Sequence, residues 1–147
     1  MKKIVIFILT CLLLTGCGSS KTLTCIKEES DEDSKLETTI IANFKGNTLD
    51  TFQMNSVEEF TDIEAATNYM NYKDTLAGFY ERINMTFEMH NEDNKIIIKT
   101  SGERKKVQET LKSAKDESLE MDLNAGLEEF ISELKSDGYV CKWAKTM

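Results

Sequence analysis

The chain has no proline, one histidine and one tryptophan among its 147 residues. It also lacks the short motifs of common enzyme classes: it has no nucleophile elbow, no glycine-rich phosphate loop and no zinc-binding helix. No motif places a cysteine, serine or carboxylate cluster near the lone histidine, His90, so we expect it to be a surface residue. These absences argue against an enzyme, and we expect no catalytic residues, no cofactor and no metal site.

The chain also lacks an apolar run long enough to cross a membrane as a helix, which takes about 20 residues. Its apolar run at residues 4–14 is much shorter. Lys2 and Lys3 precede this run, and the small residues Thr15 and Gly16 follow it. A basic start, a short apolar centre and a small-residue end are typical of a secretory signal peptide. We therefore predict that residues 1–16 are a signal peptide.

The predicted signal ends within the sequence Leu14-Thr15-Gly16-Cys17, just before the cysteine. This sequence resembles the lipobox of bacterial lipoproteins. The resemblance implies that the thiol of Cys17 carries a diacylglyceryl group and that the chain is cut just before it. Residues 17–21 would then be a lipidated cysteine with a flexible tether, and residues 22–147 a single domain on the extracytoplasmic face of the cell membrane. Two alternatives stay open: an ordinary signal peptide with a stray cysteine, and an uncleaved anchor helix.

Four cysteines occur, and two remain in the mature domain once Cys11 is assigned to the signal and Cys17 to the anchor. These are Cys25 and Cys141, near opposite ends of the domain. Outside the cytoplasm a pair of cysteines usually forms a disulfide. We predict a bond between Cys25 and Cys141, with two free buried thiols as the main alternative. A structural zinc site fits poorly, because it needs four ligands and only His90 could join the pair.

The formal net charge is -8, and removal of the signal takes away two lysines, so the mature part is more acidic still. An acidic domain is repelled by nucleic-acid phosphates and by anionic lipid surfaces. We therefore expect no nucleic-acid partner. The expected partners are the membrane, through the lipid on Cys17, and an envelope protein or a small ligand.

Alternation of apolar and polar residues predicts most of the strands. The clearest alternating runs are 35–44 and 83–90, and further strands are predicted at 23–27, 48–57, 95–100 and 139–143. Gly46-Asn47 is a tight-turn signal between two of them. A Cys25–Cys141 bond would place the first and last strands side by side or nearly so.

Helical spacing predicts a long helix from Val57 to about Tyr80, with Ser56 as its N-cap. Glu58, Glu59 and Asp62 would sit early in this helix and suit its positive start. A short helix near residue 107 and a helix ending at Gly138 follow. The order of elements predicts an α+β domain: an antiparallel sheet of about six strands with two or three helices packed on one face.

Two groups of residues are candidates for a site. Within the acidic stretch at residues 28–34, Asp31 and Asp33 are spaced like the first two ligands of a calcium-binding loop. Lys35 stands where the third ligand should be and no glycine follows, so we interpret the stretch as a solvated hairpin loop. Tyr69, Tyr72 and Tyr80 recur along the predicted long helix. They are either core residues or the lining of a ligand groove.

The signal, the lipobox and the order of strands and helices together resemble the YehR-like family of small bacterial lipoproteins. The best local points are Leu14-Thr15-Gly16-Cys17 and Ser136-Asp137-Gly138-Tyr139. The family supplies no catalytic residues to carry over. We expect a lipid-anchored envelope protein that is a non-enzymatic binding module. The alternative is a structural or assembly accessory of an envelope complex, and a hydrolase would need polar side chains that converge only in the folded chain.

Overall fold

The structure, a computed structural model, describes residues 20–114, 123 and 125–144. The predicted signal peptide and Cys17 lie outside these residues. Within the described ranges, no helix is both long enough and apolar enough to cross a membrane. The described chain starts directly with a strand, because Ser20 and Lys21 pair with Lys45 and Phe44. The described strand thus includes Ser20 and Lys21, which precede the predicted boundary at residue 22.

Six strands and four α-helices make up the described part of the chain. The strands are β1 (Ser20–Ser30), β2 (Ser34–Lys45), β3 (Thr48–Phe60), β4 (Thr86–Glu92), β5 (Lys95–Glu103) and β6 (Val140–Trp143). The helices are α1 (Ile63–Tyr69), α2 (Lys73–Arg82), α3 (Arg104–Ala114) and α4 (Leu127–Ser136), with a 3-10 turn, Met70–Tyr72, between α1 and α2.

The strands form one sheet in the order β4-β5-β3-β2-β1-β6, and each neighbouring pair is antiparallel. Gly46 has a φ of 62° in the turn from β2 to β3, a conformation that glycine adopts without a steric penalty. These observations confirm the predicted α+β fold with an antiparallel sheet of six strands.

The helices cover one face of this sheet. Every second residue of β2 from Thr38 to Phe44 is buried, as its alternating sequence predicted. Phe44 meets Phe130 of α4 edge to face, with ring centres 5.5 Å apart. Ile83, after α2, and Val107 of α3 belong to the same buried cluster. The opposite face, which carries the other half of each strand, has no described helix on it.

The predicted disulfide is confirmed. Cys25 of β1 and Cys141 of β6 face each other directly in the strand register, with Cα atoms 4.0 Å apart and a bonded S–S distance of 2.02 Å. Since 116 residues separate the two cysteines, the bond closes almost the whole domain into one loop. It also fixes β6, a strand of four residues at the sheet edge, to its only described strand neighbour.

The predicted long helix from Val57 to Tyr80 is wrong in its first part. Residues 57–60 belong to β3, where Glu58 pairs with Leu36 on one side and Ile96 on the other. This pairing with distant strands overrides the local helical spacing.

The first helix therefore begins later in the chain than predicted. The N-cap is Asp62, whose carboxylate accepts a hydrogen bond of 2.9 Å from the Glu64 N–H. Ser56, the predicted cap, lies inside β3, and so do Glu58 and Glu59, so neither carboxylate begins a helix.

Candidate functional site

A strip of polar residues divides the apolar packing on the helix-covered face. One buried cluster surrounds Phe44, and a smaller one surrounds Ile96. Between them, Ser56 of β3 pairs with Thr38 of β2, and Glu58 lies two residues further along the same face of β3. Neither Ser56 nor Glu58 belongs to a cluster, so the sheet presents polar groups here toward the helices.

Two of the predicted tyrosines lie over this strip. Tyr69, the last residue of α1, packs its ring 5.8 Å from that of Phe60. Burial, followed by the nearby negative charge of Glu58 and by Tyr80, raises the pKa of Tyr69. Burial also raises the pKa of Tyr80 in α2. Its ring stacks on Phe87 at 5.3 Å with an angle of only 10°. Both hydroxyls are therefore neutral donors at physiological pH.

Tyr72 lies at the outer side of the same aromatic group. It is 60% exposed, and its ring lies 6.0 Å from the ring of Tyr69 in an edge-to-face arrangement. The structure thus brings Tyr72 and Tyr69 into direct contact and places Tyr80 close enough to affect the ionisation of Tyr69. Tyr69 and Tyr72 therefore form a ring pair, whereas Tyr80 packs on Phe87 and against the cluster around Phe44. Tyr72 is the most accessible of the three.

A fourth tyrosine, Tyr139, lies at the β2 end of the polar residues, where it interacts with Thr38. Tyr139 lies just before β6, and the Lys27 ammonium is 5.7 Å from its ring centre. Burial raises the pKa of Tyr139, while the charge of Lys27 and hydrogen bonding with Thr38 oppose that rise. Lys27 is itself held by Glu29 at 3.0 Å, and this hydrogen bond raises the pKa of Lys27.

Sequence reasoning missed Glu58 as part of this group. The signal was present: the alternation Phe52, Met54, Ser56, Glu58, Phe60 continues the strand period past the predicted strand end. We name the group formed by Glu58, Tyr69, Tyr72 and Tyr80 the tyrosine strip.

Other candidates in the sequence have structural roles. One carboxylate oxygen of Asp31 accepts hydrogen bonds from the N–H groups of Asp33 (2.9 Å) and Ser34 (2.7 Å), so it closes the turn between β1 and β2. These bonds hold the pKa of Asp31 below its usual range. His90 is exposed on β4, 3.5 Å from Glu92. In the described ranges no three His, Cys, Asp or Glu side chains gather in a way that could hold a metal ion.

Surface depressions lined by described residues lie away from the tyrosine strip at two places. One, of about 590 Å³, follows the β1–β6 edge between Ile26, Val140 and Trp143. The other, of about 400 Å³, lies near Thr86 and Lys106 at the end of β5. The tyrosine strip is an aromatic and polar surface with Tyr72 on its solvent side, and it lies outside both of these depressions.

The chemistry of the strip suits binding. It combines ring faces and edges, hydroxyls that stay protonated, and one carboxylate. Ring faces and carboxylates attract organic cations, and neutral hydroxyls donate hydrogen bonds.

Comparisons with known proteins show the fold alone. The solved NMR structure of the Escherichia coli YehR protein is similar to this chain, with a TM-score of 0.57 and 14% sequence identity over 88% of this chain and 93% of that chain. The NMR structure of a protein from Streptococcus pneumoniae TIGR4 is also similar, with a TM-score of 0.51 and 16% identity over 84% of this chain and 86% of that one. No protein-family model and no curated protein matches the sequence.

Proposed function

We propose that this chain is a lipid-anchored bacterial envelope protein of the YehR-like kind, attached through Cys17, with a non-enzymatic binding domain. Two observations support the anchor. Leu14-Thr15-Gly16-Cys17 has the lipobox pattern, and Cys17 precedes the first strand residue, Ser20, by only three positions. The likeness of fold to YehR supports the relation to that family.

The tyrosine strip is the proposed binding surface, and its chemistry suggests an organic cation as the ligand. The observation that carries this is the ring contact between Tyr69 and the exposed Tyr72, together with the negative charge of Glu58, which helps to raise the pKa of Tyr69. One carboxylate oxygen of Glu58 accepts a 2.9 Å hydrogen bond from the Ser34 hydroxyl, and the second oxygen is the one proposed to face a cation. A cationic group on Tyr72 and Tyr69 would meet two aromatic rings and a carboxylate. Such a site binds ammonium groups through cation–π attraction and charge.

Intact mass of the protein extracted from membranes tests the anchor. The expected mass lacks residues 1–16, gains a diacylglyceryl group on Cys17, and loses two hydrogens for the disulfide. A Cys17→Ala variant should lose the lipid and leave the membrane fraction. An unlipidated, uncut chain in the wild type would contradict the anchor.

Choline, a quaternary ammonium compound, is a direct probe of the binding surface. We expect choline to shift the ring-proton NMR signals of Tyr69 and Tyr72, while 3,3-dimethyl-1-butanol, its neutral analogue of equal shape, leaves them in place. Glu58→Gln should weaken choline binding by roughly fivefold, the effect of losing about 1 kcal/mol of ion pairing.

Glu59→Gln provides the matched control, because Glu59 is the next residue of β3 and projects from the opposite face, 3.6 Å from Lys95. It should leave choline binding unchanged. Equal shifts with the neutral analogue, or equal effects of the two substitutions, would contradict a cation-binding strip.

A further inference from the structure

The outer edge of β6 exposes more large apolar side chains than any other strand edge described. The described residues contain five exposed large hydrophobic side chains: Ile26, Ile63, Tyr72, Val140 and Trp143. Three of them lie on the β1–β6 edge, with exposures of 42% for Ile26, 66% for Val140 and 44% for Trp143. The depression of about 590 Å³ lies among these three.

Two lysines flank this apolar edge. Lys21 of β1 holds its ammonium 6.0 Å from the ring centre of Trp143, on the side of the edge that faces the helices. Lys142, the neighbouring residue of β6, lies on the other face of the sheet with Ile26 and Val140, so the two lysines lie on either side of the edge. Both are exposed, and no described carboxylate lies within ion-pair distance of either. We name Lys21, Ile26, Val140, Lys142 and Trp143 the β6 edge patch.

The patch lies next to the proposed anchor point. Trp143 pairs with Leu23, and the N–H of Ala144 donates a 2.9 Å hydrogen bond to the carbonyl of Thr22. Ser20 begins the same strand, three residues after Cys17. Three extended residues span only about 10 Å. A lipid on Cys17 would therefore hold this part of the edge close to the bilayer surface.

Glu28 is the one acidic residue among the described residues that line the depression, and it lies further along β1 than Ile26. The turn after β1 carries Asp31, Glu32 and Asp33, about 33 Å from Ser20 along a strand of this length. The net charge of -8 on its own predicts repulsion from anionic lipid. The positions of the charges let the lysines of the patch approach such a surface while this turn stays at the far end of β1.

We propose that the β6 edge patch docks on the anionic phospholipid headgroups of the membrane that holds Cys17, an inference that rests on the proposed anchor. Trp143 enters the interfacial layer, which favours an indole ring with an apolar body and a polar N–H. Lys21 and Lys142 bind lipid phosphates. The anchored domain is thereby held in one orientation.

Trp143 is the single tryptophan of the chain, so its fluorescence reports on the patch directly. The experiment uses full-length lipidated protein in vesicles of phosphatidylglycerol and in vesicles of phosphatidylcholine. In phosphatidylglycerol the emission should shift to shorter wavelength, lose intensity to lipids brominated near the headgroup, and resist quenching by aqueous acrylamide. In phosphatidylcholine these effects should be weaker, and added salt should reduce them.

Two double variants test whether the lysines of the patch act through their position or only through the net charge of the domain. Lys21→Gln with Lys142→Gln should lower the docked population in phosphatidylglycerol by about 25-fold, because each lysine near an anionic surface contributes roughly fivefold. Lys95→Gln with Lys99→Gln removes the same charge from β5, on the far side of the sheet from β6, and should leave Trp143 fluorescence unchanged.

Vesicle flotation distinguishes the possible failures. A chain that does not float with either lipid has no anchor, which overturns both the proposed function and the docking. A chain that floats while Trp143 stays open to acrylamide keeps the anchor and overturns the docking alone. If the protection of Trp143 depends on the density of protein on the vesicles rather than on lipid charge, the patch contacts a second copy of the chain. That result overturns the lipid assignment.

Discussion

Gly102 and Val107 pack against each other where β5 passes into α3. A Cβ atom on residue 102 would lie 2.9 Å from Cγ2 of Val107, closer than real Cβ contacts allow. The same atom would lie 3.1 Å from Met85 and 3.2 Å from Phe52. Val107 is fully buried, so it has little room to move away. A missing side chain at residue 102 therefore lets α3 sit directly on the sheet.

Gly102→Ala should destabilise the domain by about 1–3 kcal/mol, the usual effect of overfilling a packed core. Gly78→Ala is the matched control, because Gly78 lies in α2 and nothing is within 4 Å of a Cβ built there. It should stabilise the helix by up to about 1 kcal/mol. Denaturant unfolding of the two variants measures both effects. Equal and small changes would contradict the close packing of Gly102.

Loss of the disulfide should reduce stability strongly. The chain-entropy estimate for a loop of 116 residues is on the order of 4–5 kcal/mol. We expect Cys141→Ala to lower the free energy of unfolding toward that amount and to loosen β6 first, since this short edge strand pairs with β1 alone among the described strands. Denaturant unfolding and hydrogen exchange of the β6 amides measure the two effects.

Two comparisons isolate the cross-link itself. Reduction of the wild type should reproduce the Cys141→Ala result, because Cys141 is only partly buried. Cys25→Ala should lower the free energy of unfolding by more than Cys141→Ala does, because Cys25 is 1% exposed and its truncation also leaves a cavity. Unchanged stability after reduction would show that the bond does not support the fold.

Strand alternation and the position of the cysteines made much of the fold predictable from the sequence. Leu36 to Phe44 alternates cleanly because one face of β2 is buried and the other is not. Gly138, with a φ of 95°, ends α4 where the sequence predicted. Cys25 and Cys141 pointed to neighbouring first and last strands. In each case a local pattern and the three-dimensional contacts favour the same structure.

The start of α1 and the contact of Tyr139 with Lys27 were not predictable in that way. Val57, Phe60, Ile63 and Ala66 follow each other at intervals of three, which is typical of a helix. The strand wins because residues 57–60 pair with residues 34–37 of β2, and residues 57–59 with residues 95–97 of β5, all outside the window in which the helical spacing is read. Tyr139 meets Lys27 only after the sheet closes at β6. Contacts of this kind leave no signal in a short window of sequence.

The observed helix cap can be tested against the predicted one. Asp62→Ala removes the carboxylate that accepts from the Glu64 N–H, and should lower the free energy of unfolding by about 1 kcal/mol. Ser56→Ala removes the residue that sequence spacing predicted as the cap, and should have little effect on the helix since Ser56 lies in β3. Hydrogen exchange of the α1 amides reports on the helix itself. Faster exchange in the Ser56 variant but not in the Asp62 variant would contradict this assignment.

Tyr80 should contribute to the loss of stability in alkali. Burial raises the pKa of Tyr80 in the folded state above the usual value of about 10. A group with a raised folded pKa contributes stability that is complete below its unfolded pKa, and this contribution disappears as the pH rises toward the folded pKa. The pH range in which this contribution is lost therefore begins near pH 10 and extends upward from there.

Tyr80→Phe keeps the ring that stacks on Phe87 and removes the ionising hydroxyl. Unfolding free energies of the variant and the wild type should run parallel from neutral pH to about pH 9 and then diverge, with the wild type losing more. The neutral range is the control, because any packing change caused by the substitution appears there as a constant offset. Curves that stay parallel through pH 11 would show that the Tyr80 hydroxyl ionises as easily in the folded chain as in the unfolded one. The burial of the Tyr80 hydroxyl in the folded chain would then be wrong.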